Sequence, residues 1–335
     1  MKNSRLAGLL LLCVSFSAAA EDAWEVLNSE TGLPGDEVQF IKKAQGGGAW
    51  IGTLAGLARW KDGKVETVLP KLQAWDVYEL SPEEAWVGTN AGAIRLKGGP
   101  QEPLLKGQNV APLLRYDEKT VWALCKDRNE GAGRVVACAG ETWEPVEAFK
   151  DLPVLYLSAT SDGRLWVAVE ADGVYSVEPG KGPSGIVHHL KGRPVTCIAQ
   201  DGQQRVWAGT WGAGVYVLEG DAWMRHLEKE KASINTIVAD TAGALWVATS
   251  AHGLWRYDGQ AWTNDLKDEG AINLLAATSD GKVWVSSQTQ GGLRFWDGKA
   301  WQVSLASPFP IRCIYETPEK GVWAGGILDG VHMRK

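Results

Sequence analysis

Eight tryptophans recur along this chain at nearly even spacing, and that recurrence constrains the fold more than any other feature. Trp50, Trp86, Trp122, Trp166, Trp207, Trp246, Trp284 and Trp323 are separated by 36, 36, 44, 41, 39, 38 and 39 residues. Each sits among small and β-branched residues: "AWIGTLAGLARW" (49–60), "AWVGTNAGAIRL" (85–96), "LWVAVEADGVYSV" (165–177), "VWAGTWGAGVYVL" (206–218), "LWVATSAHGLWRY" (245–257) and "VWVSSQTQGGLRFW" (283–296). Weaker copies are "VWALC" (121–125) and "VWAGGILDGVHM" (322–333). A length of 335 residues would otherwise suggest two domains. A repeat that fills nearly the whole chain instead makes it one array of stacked units.

Each unit reads as four short strands. In the best copy an apolar run, "SINTIVA" (233–239), leads into a turn, "DTAG" (240–243), and then the Trp strand. A Gly-bearing loop, "TSAHG" (249–253), a third strand, "LWRY" (254–257), a second turn, "DGQ" (258–260), and an outer strand, "AWTNDL" (261–266), follow. Four strands in some 40 residues, with turn signals between them and no helical period, define an all-β chain folded as a single β-propeller. The repeated tryptophans are then core: propeller sheets pack face to face, and one large flat side chain per blade fills the gap that widens outward. The chain ends point to how the ring closes. "AWEVLN" (23–28) matches the outer strands "AWTNDL", "AWMRHL" (222–227) and "AWQVSL" (300–305), while the last unit stops after its third strand at "GVHMRK". The N-terminal strand is therefore expected to complete the last blade, which removes an unpaired sheet edge. The expected architecture is eight four-stranded blades, with seven plus an irregular segment around 97–145 as the alternative.

The phrase G-x-x-W-[IV]-G-T-x-x-G-L, clearest in "GGAWIGTLAGLARW" (47–60), resembles the two-component-regulator propeller repeat. That resemblance implies an exported propeller of the kind that forms the sensor part of membrane-bound signalling proteins, although some members stand alone. This sequence departs from the signalling members in carrying no transmembrane helix and no kinase segment. It is thus expected to bind or sense without relaying a signal across a membrane by itself.

Residues 1–20 read as a secretory signal: Lys2 and Arg5, an apolar run from Leu6 to Phe16, and a small-residue cleavage site ending at Ala20. The run is too short to span a bilayer, so the expected mature chain, 21–335, is a soluble periplasmic or secreted protein and a monomer. Loss of Lys2 and Arg5 moves the formal charge from −6 to −8. An acidic chain without a basic cluster is a poor nucleic-acid binder. Cys125 and Cys138 flank a lengthened hairpin and could form a disulfide if its arms bring the sulfurs together. Cys197 and Cys313 occupy equivalent repeat positions three blades apart and are expected to be free and buried.

Catalytic signatures are lacking: the sequence has no H-E-x-x-H, no C-x-x-C and no G-x-S-x-G. No metal site or cofactor is expected. Function should lie where the repeat departs from itself, on loops that a ring gathers around one mouth. Eleven residues before each Trp the sequence reads Gln39, Trp75, Ala111, Leu155, Thr196, Asn235, Asn273 and Arg312. This position is often polar while those twelve and nine before the Trp are apolar in every copy, which suits a wet channel wall better than a dry blade interface. Loops after the Trp strands add Trp211, His252, Gln290 and Asp329 on the same face. Trp211 is out of phase with every structural Trp and reads as an exposed aromatic platform. Arg312 suits an anionic group, or else pairs with Asp329 or Asp76 as a plug. These features favour a non-catalytic binding protein for a glycan, a small molecule or an envelope protein. A propeller lyase or hydrolase, or a scaffold subunit of an envelope complex, are the alternatives.

Overall fold

A computed structural model describes residues 24–127, 131–228 and 230–334; the signal segment read at 1–20 lies outside the described residues. Eight antiparallel sheets form the ring, numbered here as blades 1–8 in the order of their repeat tryptophans. The innermost strands are Val38–Lys43, Ala74–Ser81, Asn109–Arg115, Val154–Ala159, Val195–Gln200, Ile234–Ala239, Ile272–Ala277 and Ile311–Glu316. Closure occurs as the terminal sequences imply: Glu25, Val26 and Leu27 pair with Met333, His332 and Val331 as the fourth strand of blade 8. Trp24 reaches further, its indole N–H donating to the Ser304 carbonyl of blade 7 at 2.8 Å.

Seven sheets have four strands, and blade 2 has three. Its outer place is taken by residues 100–104, which touch the third strand only through isolated bridges at Leu96–Pro100 and Ala93–Leu104. Pro100 and Pro103 explain the loss of a regular ladder, since neither can donate a backbone N–H. The segment where the repeat is weakest is thus still two blades, the second of them fully four-stranded.

All eight repeat tryptophans are buried, with exposures from 0 to 7%. In blades 4 to 7 the turn before the Trp strand holds the indole, whereas the Trp50 indole N–H of blade 1 is buried without a partner. The indole N–H of Trp207 donates to Asp201 Oδ2 at 2.8 Å and that of Trp246 to Asp240 Oδ2 at 2.8 Å. In blades 4 and 7 a threonine takes this place: Trp166 donates to Thr160 Oγ1 (3.2 Å) and Trp284 to Thr278 Oγ1 (2.9 Å). Those two hydroxyls in turn donate to Asp162 and Asp280, each at 2.6 Å. The glycine of the W-x-G-T run is required by close approach. A Cβ on Gly209 would lie 2.5 Å from Cys197 Sγ and 2.6 Å from Ile234 Cγ2 of the next blade. The threonine after it ties off the following loop, as where Thr210 Oγ1 donates to the Gly214 carbonyl at 2.6 Å.

The Cys125–Cys138 disulfide does not form. Cys125 pairs with Arg134 and Cys138 with Val121, at opposite ends of one hairpin. Four ladder steps separate them by about 13 Å, roughly twice the Cα separation a disulfide spans. The described cysteines are free thiols, and burial pushes Cys125, Cys197 and Cys313 up to about 12.

Candidate functional site at the channel mouth

One irregularity recurs in every blade and builds the site. The register between the innermost strand and the Trp strand slips by one residue near the start of the innermost strand. In seven blades the extra residue is Gln39, Trp75, Leu155, Thr196, Asn235, Asn273 or Arg312. In blade 3 the slip spans Ala111 and Pro112, which are joined by a cis peptide. The polar column read from the sequence is therefore a ring of β-bulges. A bulged residue has no ladder partner and is released from the alternation that buries its neighbours. Polarity is tolerated there for that reason.

The loops after the Trp strands share this face. In seven blades a loop N–H donates to a carbonyl two residues before the bulge: Leu54 to Glu37 at 3.0 Å, Asn90 to Gln73 at 3.2 Å and Trp211 to Pro194 at 2.9 Å, with Glu170, Ser250, Gln288 and Ile327 alike. This bond closes those seven blades at the mouth and sets their bulges and loops side by side.

The bulge side chains divide into tied and open sets. Thr196 Oγ1 donates to the Ile234 carbonyl at 2.6 Å, and Asn235 Nδ2 makes a longer 3.4 Å contact with the Ile272 carbonyl. Both tie their blade to the next. Arg312 bridges the ring closure: one guanidinium nitrogen donates to Gln39 Oε1, and Nη2 lies 3.3 Å from Glu37 Oε1. Its carboxylate is thus Glu37. Asp329 is taken by Ser307 Oγ at 2.8 Å and His332 Nε2 at 3.0 Å. Asp76 is buried, accepting from Lys42 Nζ and, at 2.8 Å, from the Leu113 N–H of blade 3. Asn273 is exposed, with no side-chain hydrogen bond among the described residues. Gln39, Trp75 and Ala111 line one recess of about 300 Å³ with Asn109 and Lys126.

Trp211 and His252 stand apart from this recess on the rim of blades 5 and 6. Trp211 is 71% exposed, as expected of a platform, and its backbone bridges to Ser233. His252 Nδ1 lies 2.7 Å from Glu230 Oε1, and Glu230 is buried beneath it, also accepting from Trp255 Nε1 at 2.8 Å and Ala232 N at 2.5 Å. Burial pushes the Glu230 carboxyl up, but these donors outweigh it and hold it below the ordinary range. Gln290 belongs elsewhere, beside Leu293, Val303 and Leu305 in a separate recess.

Three residues of the mouth escaped the sequence reading. Glu37 and Asn109 both lie thirteen residues before their tryptophans, so widening the same column by two would have found them. Lys126 ends the Trp strand of the weakest repeat, where no threonine marks the loop.

A ring of eight Trp-bearing blades, closed by the N-terminal strand, is an eight-bladed β-propeller. A family model described as two component regulator propeller matches residues 189–212, from the end of blade 4 through Trp207 to the loop of Trp211. That match spans part of one repeat. Among solved structures it is similar to an extracellular domain assigned to a one component system, BT4673, of B. thetaiotaomicron (TM-score 0.60, 14% identity), covering 94% of this chain and 40% of that one. It is also similar to virginiamycin B lyase of Staphylococcus aureus (TM-score 0.55, 12% identity, 93% and 98% covered). A third similar structure is YCF48 bound to a D1 peptide (TM-score 0.53, 16% identity, 78% and 92% covered). At such identities the likeness is one of fold, and the chain spans well under two thirds of the BT4673 domain. No curated protein matches it in sequence. Among the described residues no helix is long and apolar enough to cross a membrane.

Proposed function

We propose that this chain is an exported, non-catalytic binding propeller of the sensor type, which holds a ligand or protein partner at the mouth ringed by its bulges. The observation that carries this reading is the ring itself. The one position freed from ladder pairing in each blade is also the position that holds Gln39, Trp75, Asn235, Asn273 and Arg312. A periplasmic or secreted location fits the signal-like residues 1–20 and the extracellular origin of the similar BT4673 domain. Glycans, small molecules and envelope proteins are the candidate partners.

Affinity capture of the tagged mature protein from its own envelope, run beside a glycan array, tests the reading. Whatever binds should be lost on Trp75→Ala or Asn273→Ala while the melting temperature is kept. Retention by both variants, with loss on changes to outer-strand residues such as Val303, would move the binding surface away from the mouth.

A further inference from the structure

Arg312 and Lys126 both reach the mouth, and their surroundings differ. Arg312 is compensated by Glu37 and by the Gln39 side-chain carbonyl. Lys126, at the end of the Trp strand of blade 3, donates to two neutral carbonyls, Gly131 at 3.0 Å and Leu155 at 3.1 Å. Among the described residues no carboxylate lies within 4.0 Å of its ammonium. Lys126 is also partly buried, and the loss of water holds its pKa below the ordinary lysine value. A desolvated charge without a counter-charge is unfavourable, and this one lines the 300 Å³ recess.

The other walls suit the same ligand. Trp75 supplies a broad aromatic face, and Ala111, the small residue at the next bulge, leaves room in front of it. Gln39 has its carbonyl oxygen engaged by Arg312 and its amide nitrogen in a long 3.5 Å contact with Glu37 Oε1, which leaves one N–H to offer. Asn109 adds a second amide on the same wall. The recess thus combines a cation that meets no carboxylate among the described residues, amide donors and a flat apolar surface.

We infer that the recess beside Trp75 binds a small ligand with a carboxylate or similar monoanionic group, Lys126 serving as counter-charge and Trp75 as the surface for a flat apolar body. This rests on the mouth being a binding face. It shifts the expected anion contact from Arg312, which is already paired, to Lys126.

Calorimetric titration of the mature protein with benzoate, benzamide and benzylamine tests the ligand class with three probes of one shape and different charge. Benzoate should bind and the other two should bind much more weakly. Lys126→Gln should weaken benzoate roughly ten- to hundredfold, the range for a lost charged hydrogen bond, while Lys126→Arg keeps most of the affinity and both variants melt like the parent. No benzoate binding at millimolar concentration, equal binding of benzamide, or a Lys126→Gln variant with unchanged affinity would each overturn the assignment. The mouth reading falls separately: a partner captured from the envelope that is lost on Trp75→Ala but kept on Lys126→Gln leaves the mouth intact and removes the anion.

Discussion

The strongest test of how the repeat works is to exchange the two ways in which its tryptophans are held. Asp201 is buried, and its Oδ2 accepts from Trp207 Nε1 at 2.8 Å and from Arg205 Nε at 2.7 Å. Its Oδ1 accepts from the N–H groups of Gln203 at 2.9 Å and Arg205 at 3.0 Å. In Asp201→Ala the Trp207 N–H, on a side chain that is 0% exposed, has no partner and no water. One such orphan costs about 1–3 kcal/mol. The turn amides recover water, but Arg205 loses the anchor that sets it 5.3 Å above the Trp207 ring, so the total should be about 2–4 kcal/mol. For a domain of this size that is a fall of roughly 3–6 °C in melting temperature, measurable by calorimetry or tryptophan fluorescence. Blades 4 and 7 contain the compensating change: threonine at this position and aspartate two residues on. Asp201→Thr combined with Gln203→Asp should therefore recover most of the loss, and Asp201→Thr alone less. If the double variant melts no higher than Asp201→Ala, the two solutions are not equivalent and the account of the motif is wrong.

Further outcomes follow from the same contacts. Deleting residues 24–28 strips the fourth strand and the Trp24–Ser304 bond from blade 8, so the product should aggregate or melt far lower; an unchanged, monomeric elution profile and melting temperature would refute closure by the N-terminal strand. Gly209→Ala should cost about 1–3 kcal/mol by overpacking, read from chemical denaturation, and Cys197→Ala should relieve part of it because Cys197 Sγ is the nearest obstacle. Trp211→Ala should change stability by less than about 1 kcal/mol, as usual for exposed side chains, whereas Trp246→Ala should cost about 3–5 kcal/mol. Burial pushes Asp162, Asp201 and Asp280 up, but their hydrogen bonds outweigh it and hold each below the ordinary 3.8. A depressed carboxyl stabilises the fold above its unfolded value and loses that contribution as pH falls through the folded one. Acid unfolding should therefore steepen below about pH 4, and less so in Asp201→Ala.

The sequence made the scaffold legible because the scaffold is periodic. Trp, Gly and Thr recur at fixed places since each blade must solve the same packing problem, and the match of residues 23–28 to other outer strands followed from the same repetition. Blade 2 was misjudged in one strand because Pro100 and Pro103 disrupt a ladder without erasing the spacing of its tryptophan. The cysteine pair misled for a related reason: flanking a hairpin says nothing of register, and only pairing shows Cys125 opposite Arg134. At the mouth the column of polar residues was visible, but its cause was not. A bulge is a relation between two strands and leaves no mark in one.

That cause determines which residues can carry function. A residue in the regular part of an innermost strand is fixed on both sides, by the ladder and by the neighbouring blade, as Asp76 is by Lys42 and the Leu113 N–H. Changing it disturbs two blades. The bulged residue beside it, Trp75, has no ladder partner and can be replaced with little effect on the ring. The bulges that tie no neighbouring blade, such as Trp75 and Asn273, let the mouth vary while the scaffold stays constant. On this argument the identity of the ligand is written in the bulges and in the residues that flank them, Glu37, Asn109 and Lys126, and the tryptophan repeat carries no information about it. Transplanting Gln39, Trp75, Asn109, Ala111 and Lys126 onto another propeller with the same bulges should carry the binding preference with them. Failure of that transfer, in a graft that folds, would place specificity in the loops instead.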